Sequence, residues 1–263
     1  MSEPPMTFRA GTRDITVNIP DRAALEAEVT ARLRAGRGFA LATLNLDHLA
    51  KLGRDPGFGS VYAAQDLVVA DGNPVVWLSR LAARPVALVP GSDMVIPLAQ
   101  WAAAAGAPVA LVGSTDAVLA RARAAIEAAA PGVTIAATIA PPMGFDPDGP
   151  EGDAVLDALQ ASGARLCLLA LGAPRQEALA ARGRRRAPEL GFASIGAGLD
   201  FLAGAQRRAP RLVRMLALEW LWRMLGNPRR LALRYARCAA LLPRLTLDAW
   251  RLRRDHAAAV RAG

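Results

Sequence analysis

The sequence predicts an α/β protein: a Rossmann-like, mostly parallel sheet with helices on both faces, followed by a basic α-helical C-terminal appendage. Three observations lead there. Short apolar runs alternate with longer stretches of helical spacing, the pattern of successive strand–helix units that build a parallel sheet. Glycines stand where several apolar runs give way to the next helical stretch, as tight strand-to-helix turns require. Around Gly204 the character changes to Trp-, Leu- and Arg-rich helical sequence.

The elements follow in order. Residues 14–19 read as an edge strand, and 21–35 as a helix capped by Asp21. Residues 39–46 form an apolar strand that runs out into a loop. Residues 60–64 close a short helix, 67–70 are a second buried strand, and 74–82 resume as a helix with Pro74 near its first position. A short strand at 86–89 and a turn at Gly91-Ser92 lead into a helix over 93–105. Then come a strand at 109–112, a turn at 113–115, a helix over 116–129 and a strand at 133–137. A Pro/Gly loop precedes a helix ending at Ala161; a strand at 165–171, a turn at Gly172-Ala173 and a helix over 174–186 follow. The last strand, 192–195, ends in Gly196-Ala197-Gly198. The tail reads as a Trp/Leu-rich helix over 210–225, a second helix over 229–242 stopped by Pro243, and a third basic stretch. Arg230, Arg234 and Arg237 share one stripe of the second helix, a pattern compatible with a helix lying at an interface.

At 263 residues and 53% hydrophobic content, the chain supports an α/β domain over 1–204 and an appendage over 205–263. Of its 32 basic residues only Lys51 is lysine. From Phe201 onward fourteen arginines face three acids, a net of +11, which leaves the first 200 residues at −2 within the total of +9. The basic character belongs to the tail and implies an anionic partner there. Two cysteines, Cys167 and Cys238, make no disulfide framework, and two histidines without a Cys/His cluster argue against a zinc site. The N-terminus lacks the basic flank and apolar run of a signal peptide, and no stretch reaches bilayer-spanning length, so a cytoplasmic location is expected. A nucleic-acid partner is not expected: the tail has no recognised binding pattern, and 5% aromatic residues offer few stacking platforms.

Candidate chemistry lies at strand ends, where open parallel sheets hold their ligands. Asp71 stands on a Gly-Asn-Pro turn after the second strand, a suitable place for a general base, with Thr43 and Asn45 at the end of the first. The turns at Gly113-Ser114, Gly172 and Gly196-Ala197-Gly198 offer phosphate free N–H groups and close backbone approach. Neither G-x-G-x-x-G nor a P-loop occurs, so NAD and ATP are unsupported and no cofactor is expected. Gln176 offers an amide to the cleft, while Glu177 in the same helical turn complements the helix dipole. Taken on spacing alone, each residue also has a plainer explanation. Asp71 serves as a turn residue, Thr43 and Asn45 satisfy strand-end backbone, His48 belongs to a helix surface or core, and Asp200 caps a helix.

The ordered set weighs differently. T-x-N-x-D-H-L from Thr43, A-D-G-x-P-V-V-W from Ala70, G-S-D from Gly91, L-V-G-S from Leu111, L-G-A-P-R-Q-E from Leu171, G-A-G-L-D-F-L-A-G from Gly196, R-A-P from Arg208 and L-E-W-L-W-R-x-x-x-N-P-R-R from Leu218 resemble the WecG/TagA/CpsF glycosyltransferase family. Asp47-His48-Leu49 and Pro74-Val75-Val76-Trp77 are similar to its exopolysaccharide branch, which includes xanthan-type glucosyltransferases. The resemblance implies inverting transfer of a hexose from a UDP-sugar to a polyprenyl-pyrophosphate-linked saccharide on the cytoplasmic membrane face. Asp71 is implied as catalytic base, Thr43 and Asn45 share its pocket, and Gln176 matches the glutamine of the G-x-P-x-Q-E block. Members often carry a basic residue three positions before the glycine of the G-x-D block. Here that position is Leu88, with Arg84 upstream, so no catalytic arginine is assigned.

With no metal-binding Asp-x-Asp expected (Asp146-Pro147-Asp148 reads as structural), helix N-termini and Arg207, Arg208, Arg211 and Arg214 are left to offset the diphosphate charge. The tail helices are expected at the membrane surface, and a homo-oligomer stays open. The rival within the class uses UDP-N-acetylmannosamine or its uronic acid, as in teichoic acid or enterobacterial antigen synthesis. A non-catalytic nucleotide-sugar sensor is the rival outside it.

Overall fold

The computed structural model describes residues 4–206, 209, 210, 213, 219–226 and 228–262. Six parallel strands form the sheet: β3 (Phe39–Leu44), β4 (Leu67–Ala70), β5 (Val109–Gly113), β6 (Ile135–Ile139), β7 (Leu166–Ala170) and β8 (Gly191–Ser194), in the order β4-β3-β8-β7-β5-β6. Five of the six are buried at every position, which explains why they read as unbroken apolar runs. Alternate residues feed opposite faces. Phe39 and Leu41 join one cluster with α1 (Arg22–Arg34), α5 (Val95–Ala104) and α6 (Asp116–Ala129). Ala42 and Leu44 join another with α2 (Leu46–Leu52), α3 (Pro56–Ala63) and α4 (Asn73–Leu81). On the same side, Cys167, Leu169 and Phe192 pack beneath α7 (Pro150–Ala161) and α8 (Arg175–Arg186).

The connections set the site. After β3 the chain enters α2 and α3 on one face; after β8 it enters α9 (Gly198–Leu202), which packs with α6 on the other. β3 and β8 are adjacent, with Phe39 opposite Gly191, so their carboxyl ends diverge and open a crevice.

An antiparallel hairpin, β1 (Met6–Ala10) with β2 (Arg13–Val17), covers part of the second cluster. β2 answers the edge strand expected over 14–19, but it pairs with β1, which the sequence reading does not include. Its partner face buries Met6, Phe8 and Ala10, an alternation of period two. In the tail, α10 (Glu219–Gly226) is the described part of the expected Trp/Leu helix, and α11 spans Pro228–Ala262. α11 packs on α4, α2 and β1, and it sends Leu245 and Ala249 into the hairpin's cluster.

Several expected boundaries change. The strand expected over 39–46 ends at Leu44, and helix α2 over 46–52 takes the place of its last residue and the following loop, because the Asn45 side chain accepts the His48 N–H and starts a capped turn directly after the strand. Residues 86–89 make one parallel bridge, Ala70 to Leu88, instead of a strand; Pro85 and Pro90 on either side remove the donors that would extend a ladder. The turn expected at Gly91-Ser92 is a 3-10 turn, Gly91–Asp93, and the helix expected from residue 93 begins at Val95. Pro243 does not stop α11. It removes the one N–H that would reach the exposed Ala239 carbonyl, which water can serve, while Leu245 and Ala249 anchor the helix beyond it. Of the expected stripe, Arg237 is exposed, Arg234 is exposed and pairs with Asp47 (2.9 Å), and the Arg230 side chain lies outside the described residues. An exposed stripe runs through Leu233, Arg237, Arg244, Leu247, Arg251 and Arg254, at intervals of three, four and seven residues.

Gly183 shows how closely α8 lies on the sheet: a Cβ there would fall inside contact distance of the Phe192 ring. Gly183→Ala should therefore cost about 2 kcal/mol despite alanine's better helix propensity, measured as a lower urea midpoint with unchanged slope.

Candidate active site

The end of β3 builds the first wall. Thr43 is buried beneath the Gly91 turn, where a Cβ on Gly91 would lie 3.0 Å from Thr43 Cγ2 and 3.2 Å from the Ile195 Cα. The glycine thus lets the 3-10 turn close over the ends of β3 and β8. The next residue, Leu44, pairs with Ala70, so Asn45 and Asp71 stand side by side where their strands stop. The Asp71 N–H donates to the Leu44 carbonyl at 2.8 Å, and Gly72 (φ +116°) faces the Asn45 side chain, where a Cβ would meet Asn45 Cβ at 3.7 Å. The structure brings Thr43, Asn45 and Asp71 to one edge, with Asp71 half-buried.

A chain of polar contacts crosses from there to β8. His48 Nδ1 accepts the Asn45 N–H at 3.3 Å, which leaves the ring proton on Nε2. Nε2 sits 3.6 Å from Glu177 Oε1, longer than a formed hydrogen bond. The same oxygen accepts from Gln176 Nε2 at 2.8 Å, and Gln176 Oε1 accepts the Gly196 N–H at 3.2 Å. Gln176 is 2% exposed and Glu177 0%. The amide expected toward the cleft therefore spans Glu177 and the Gly196 turn. Burial holds His48 neutral, lowering it to about 4, with Lys51 adding to the effect. Burial also pushes Glu177 up from 4.5 to about 7. Between those values the two groups meet as neutral partners, not as an ion pair. Tyr62, ring-packed against His48 at 5.8 Å, is raised well above its ordinary value by burial and then by the Glu177 and Asp71 charges.

The remaining candidates line the same edge. Ser114 (φ +56°) donates through Oγ to Asp200 Oδ1 at 2.8 Å and ties the β5 turn to α9. Gly113 and Gly198 are sites of close approach: a Cβ would strike the Ala170 carbonyl at the first and Val95 Cγ2, 2.6 Å away, at the second. Gly172 and Gly196 both have positive φ with open space where a side chain would be, so their turns present bare backbone. Lys51 Nζ donates to the Ala173 carbonyl in the Gly172 turn at 3.1 Å and pairs with Asp47 at 3.0 Å. Arg207, Arg208, Arg211 and Arg214, expected near the diphosphate, lie outside the described residues. Arg84 turns to the Pro5 carbonyl at 3.4 Å. Asp146 accepts from the Asp148 N–H within its own loop, and among the described residues no three His, Cys, Asp or Glu side chains gather to hold a metal. Two surface hollows, of about 260 and 200 Å3, both border the hairpin.

Sequence reasoning missed His48, Glu177, Tyr62, Lys51 and Arg234 as parts of this edge. A capping-box reading of Asn45 with His48 three residues on was the available local signal. The others depend on contacts between distant segments.

Fold and edge together define an open, doubly wound α/β protein with its polar groups gathered at the switch point. Residues 12–256 match the profile of the glycosyl transferase WecG/TagA/CpsF family, nearly the whole chain, and the protein belongs to that family. It is thus a glycosyltransferase of the UDP-sugar type, acting between a nucleotide-sugar donor and a glycosyl acceptor. No helix among the described residues is long and apolar enough to cross a membrane.

Glu177 gives a pH-dependent stability with a definite sign. The folded state keeps its proton from pH 4.5 up to about 7, while the unfolded chain releases it at 4.5, so this contribution is full at low pH and lost as pH rises through that window. Glu177→Gln cannot ionise and escapes the loss. Its stability relative to the parent should rise by about 3 kcal/mol across the window, read from urea melts. His48 contributes the opposite slope between pH 4 and 6.5, common to both proteins, and cancels in the difference.

Proposed function

We propose that the protein is an inverting, metal-independent hexosyltransferase of exopolysaccharide assembly, moving a hexose from a UDP-sugar to a polyprenyl-pyrophosphate-linked saccharide at the cytoplasmic membrane face. The observation that carries this reading is that Asp71 stands on a turn at the carboxyl end of β4, beside the Asn45 cap that ends β3. The Asp71 carboxylate accepts the proton of the acceptor hydroxyl as that oxygen bonds to the anomeric carbon. The bond from that carbon to the diphosphate breaks on the opposite side, its electron pair leaves with UDP, and the configuration inverts. Thr43 and Asn45 shape the base's pocket. The bare turns at Gly172 and Gly196, the Gly113-Ser114 turn with Asp200, and Gln176 behind Gly196 form the donor side; the Gly196 and Gly198 N–H groups, expected to be free, are taken by Gln176 and the Ile195 carbonyl, so other backbone N–H groups of these turns offset the diphosphate charge. The exopolysaccharide assignment rests on Asp47-His48-Leu49 and Pro74-Val75-Val76-Trp77.

The membrane role is supported by what the tail exposes. Trp220, Trp222 and Leu225 on α10 stand in solvent, as does the Leu233–Arg254 stripe of α11, and Arg254 lies over the Trp250 ring at 4.8 Å. Aromatic and aliphatic groups flanked by arginine suit the interface of an anionic bilayer.

Two measurements test the reading. A panel of UDP-glucose, UDP-galactose, UDP-glucuronate and UDP-N-acetylmannosamine, with a short-chain polyprenyl-pyrophosphoryl saccharide and EDTA, should give acceptor-dependent UDP release from one hexose donor. Asp71→Asn should lower it by about a thousandfold while UDP still binds. Release from no donor, or full activity in Asp71→Asn, sinks the proposal. In the second measurement, the protein should co-sediment with vesicles containing anionic phosphatidylglycerol but not with pure phosphatidylcholine. Arg237→Ala should weaken that binding about fivefold, since one arginine near such a surface contributes about 1 kcal/mol.

A further inference from the structure

Glu177 has a setting that its place in the sequence does not require. A carboxylate in the first turn of a helix complements the dipole from the surface. This one is fully buried, and a buried carboxyl is costly unless its contacts compensate. Its Oε1 accepts from Gln176 Nε2 at 2.8 Å and lies 3.6 Å from His48 Nε2. Gln176 holds the Gly196 N–H, and His48 shares a reciprocal cap with Asn45. The Glu177 main-chain carbonyl accepts from Nε2 of Gln65, which follows α3, at 3.1 Å. Oε2 has no hydrogen-bond partner among the described residues. One carboxyl oxygen thus bonds Gln176 on the donor-side wall and stands 3.6 Å from the His48 ring on the other, while the second oxygen contributes no bond that would justify burying the group.

We propose that Glu177 is a positioning residue of the transferase: through Oε1 it fixes the Gly196 turn on the donor side relative to the Asn45 cap beside Asp71 on the acceptor side. The catalytic consequence rests on the glycosyltransferase reading; the positioning itself does not. The groups facing the Glu177–His48 contact are Lys51 and Asp47 on α2, Tyr62 on α3 and Gln65 just after it, Gln176 on α8, Asp71 beyond Tyr62, and Arg234 on α11. Lys51 and Arg234 disfavour a charge on His48, so ionisation of Glu177 alters the field at a neutral imidazole.

The chain has two histidines, His48 and His256, so ring NMR signals are assignable by comparison with His256→Gln. In the wild type, the His48 ring signals should shift with a midpoint near 7 without the ring protonating, and the step should vanish in Glu177→Gln. Amide exchange at Gly196 and His48 should accelerate together, by about tenfold or more, in Glu177→Ala and by less than about threefold in Glu177→Gln, which keeps the acceptor oxygen. In turnover, Glu177→Ala should lose about a hundredfold in kcat with the donor KM within about threefold, and Glu177→Gln should recover most of it.

Wild-type exchange at both amides in folded Glu177→Ala overturns the proposal. If that variant does not fold, a His48 step that persists in Glu177→Gln overturns it instead. A wild type inactive with every donor counts against the transferase reading alone, because ring shifts and exchange still decide the positioning role.

Discussion

Adjacent parallel strands whose chains exit toward opposite faces leave a groove that no connection crosses, and β3 and β8 are such a pair. The chain from β3 turns at once into α2, while the chain from β8 turns into α9. What can stand at the groove follows from that divergence: a cap residue on one lip, glycine turns on the other, and Asp71 delivered by the neighbouring strand. The close packing at Gly91 and Gly198 serves the same end, bringing the 3-10 turn and α9 down onto the strand ends.

Polar groups beneath the groove keep the two lips in register. A sheet edge alone would leave α2 and α8 joined only by apolar packing, which tolerates sliding better than directional bonds do. The bonds of Gln176 to Glu177 and Gly196, and the cap between Asn45 and His48, direct each lip, and the Glu177 and His48 side chains face one another at 3.6 Å between them. The cost is a buried carboxyl whose second oxygen is unpaired among the described residues.

The strands and most helices were legible because their signals are local: full burial leaves unbroken apolar runs, and Asp21 and Pro74 mark helix starts. Asn45, Asp71, Ser114 and Asp200 could be nominated from their places at strand ends. That Ser114 reaches Asp200, or that Arg234 reaches Asp47, could not, since each contact joins segments far apart in the chain. Glu177 illustrates the limit best. The local rule made it a dipole partner in the first turn of its helix, and tertiary packing of α8 on α3 buried it. Pro243 is the converse, a strong local stop overridden by anchors on both sides of it.

Leu245 and Ala249 make α11 part of the wall that closes the hairpin's apolar cluster. Deleting the tail to study what the remainder does is therefore a lesion of the protein's interior. β1, α2 and α4, on which α11 packs, would lose part of their cover at the same stroke as the basic helices are lost. A shortened chain that failed to act would confound collapse of the body with absence of the anchor, so the tail's role is separable only by changing side chains on its outward face.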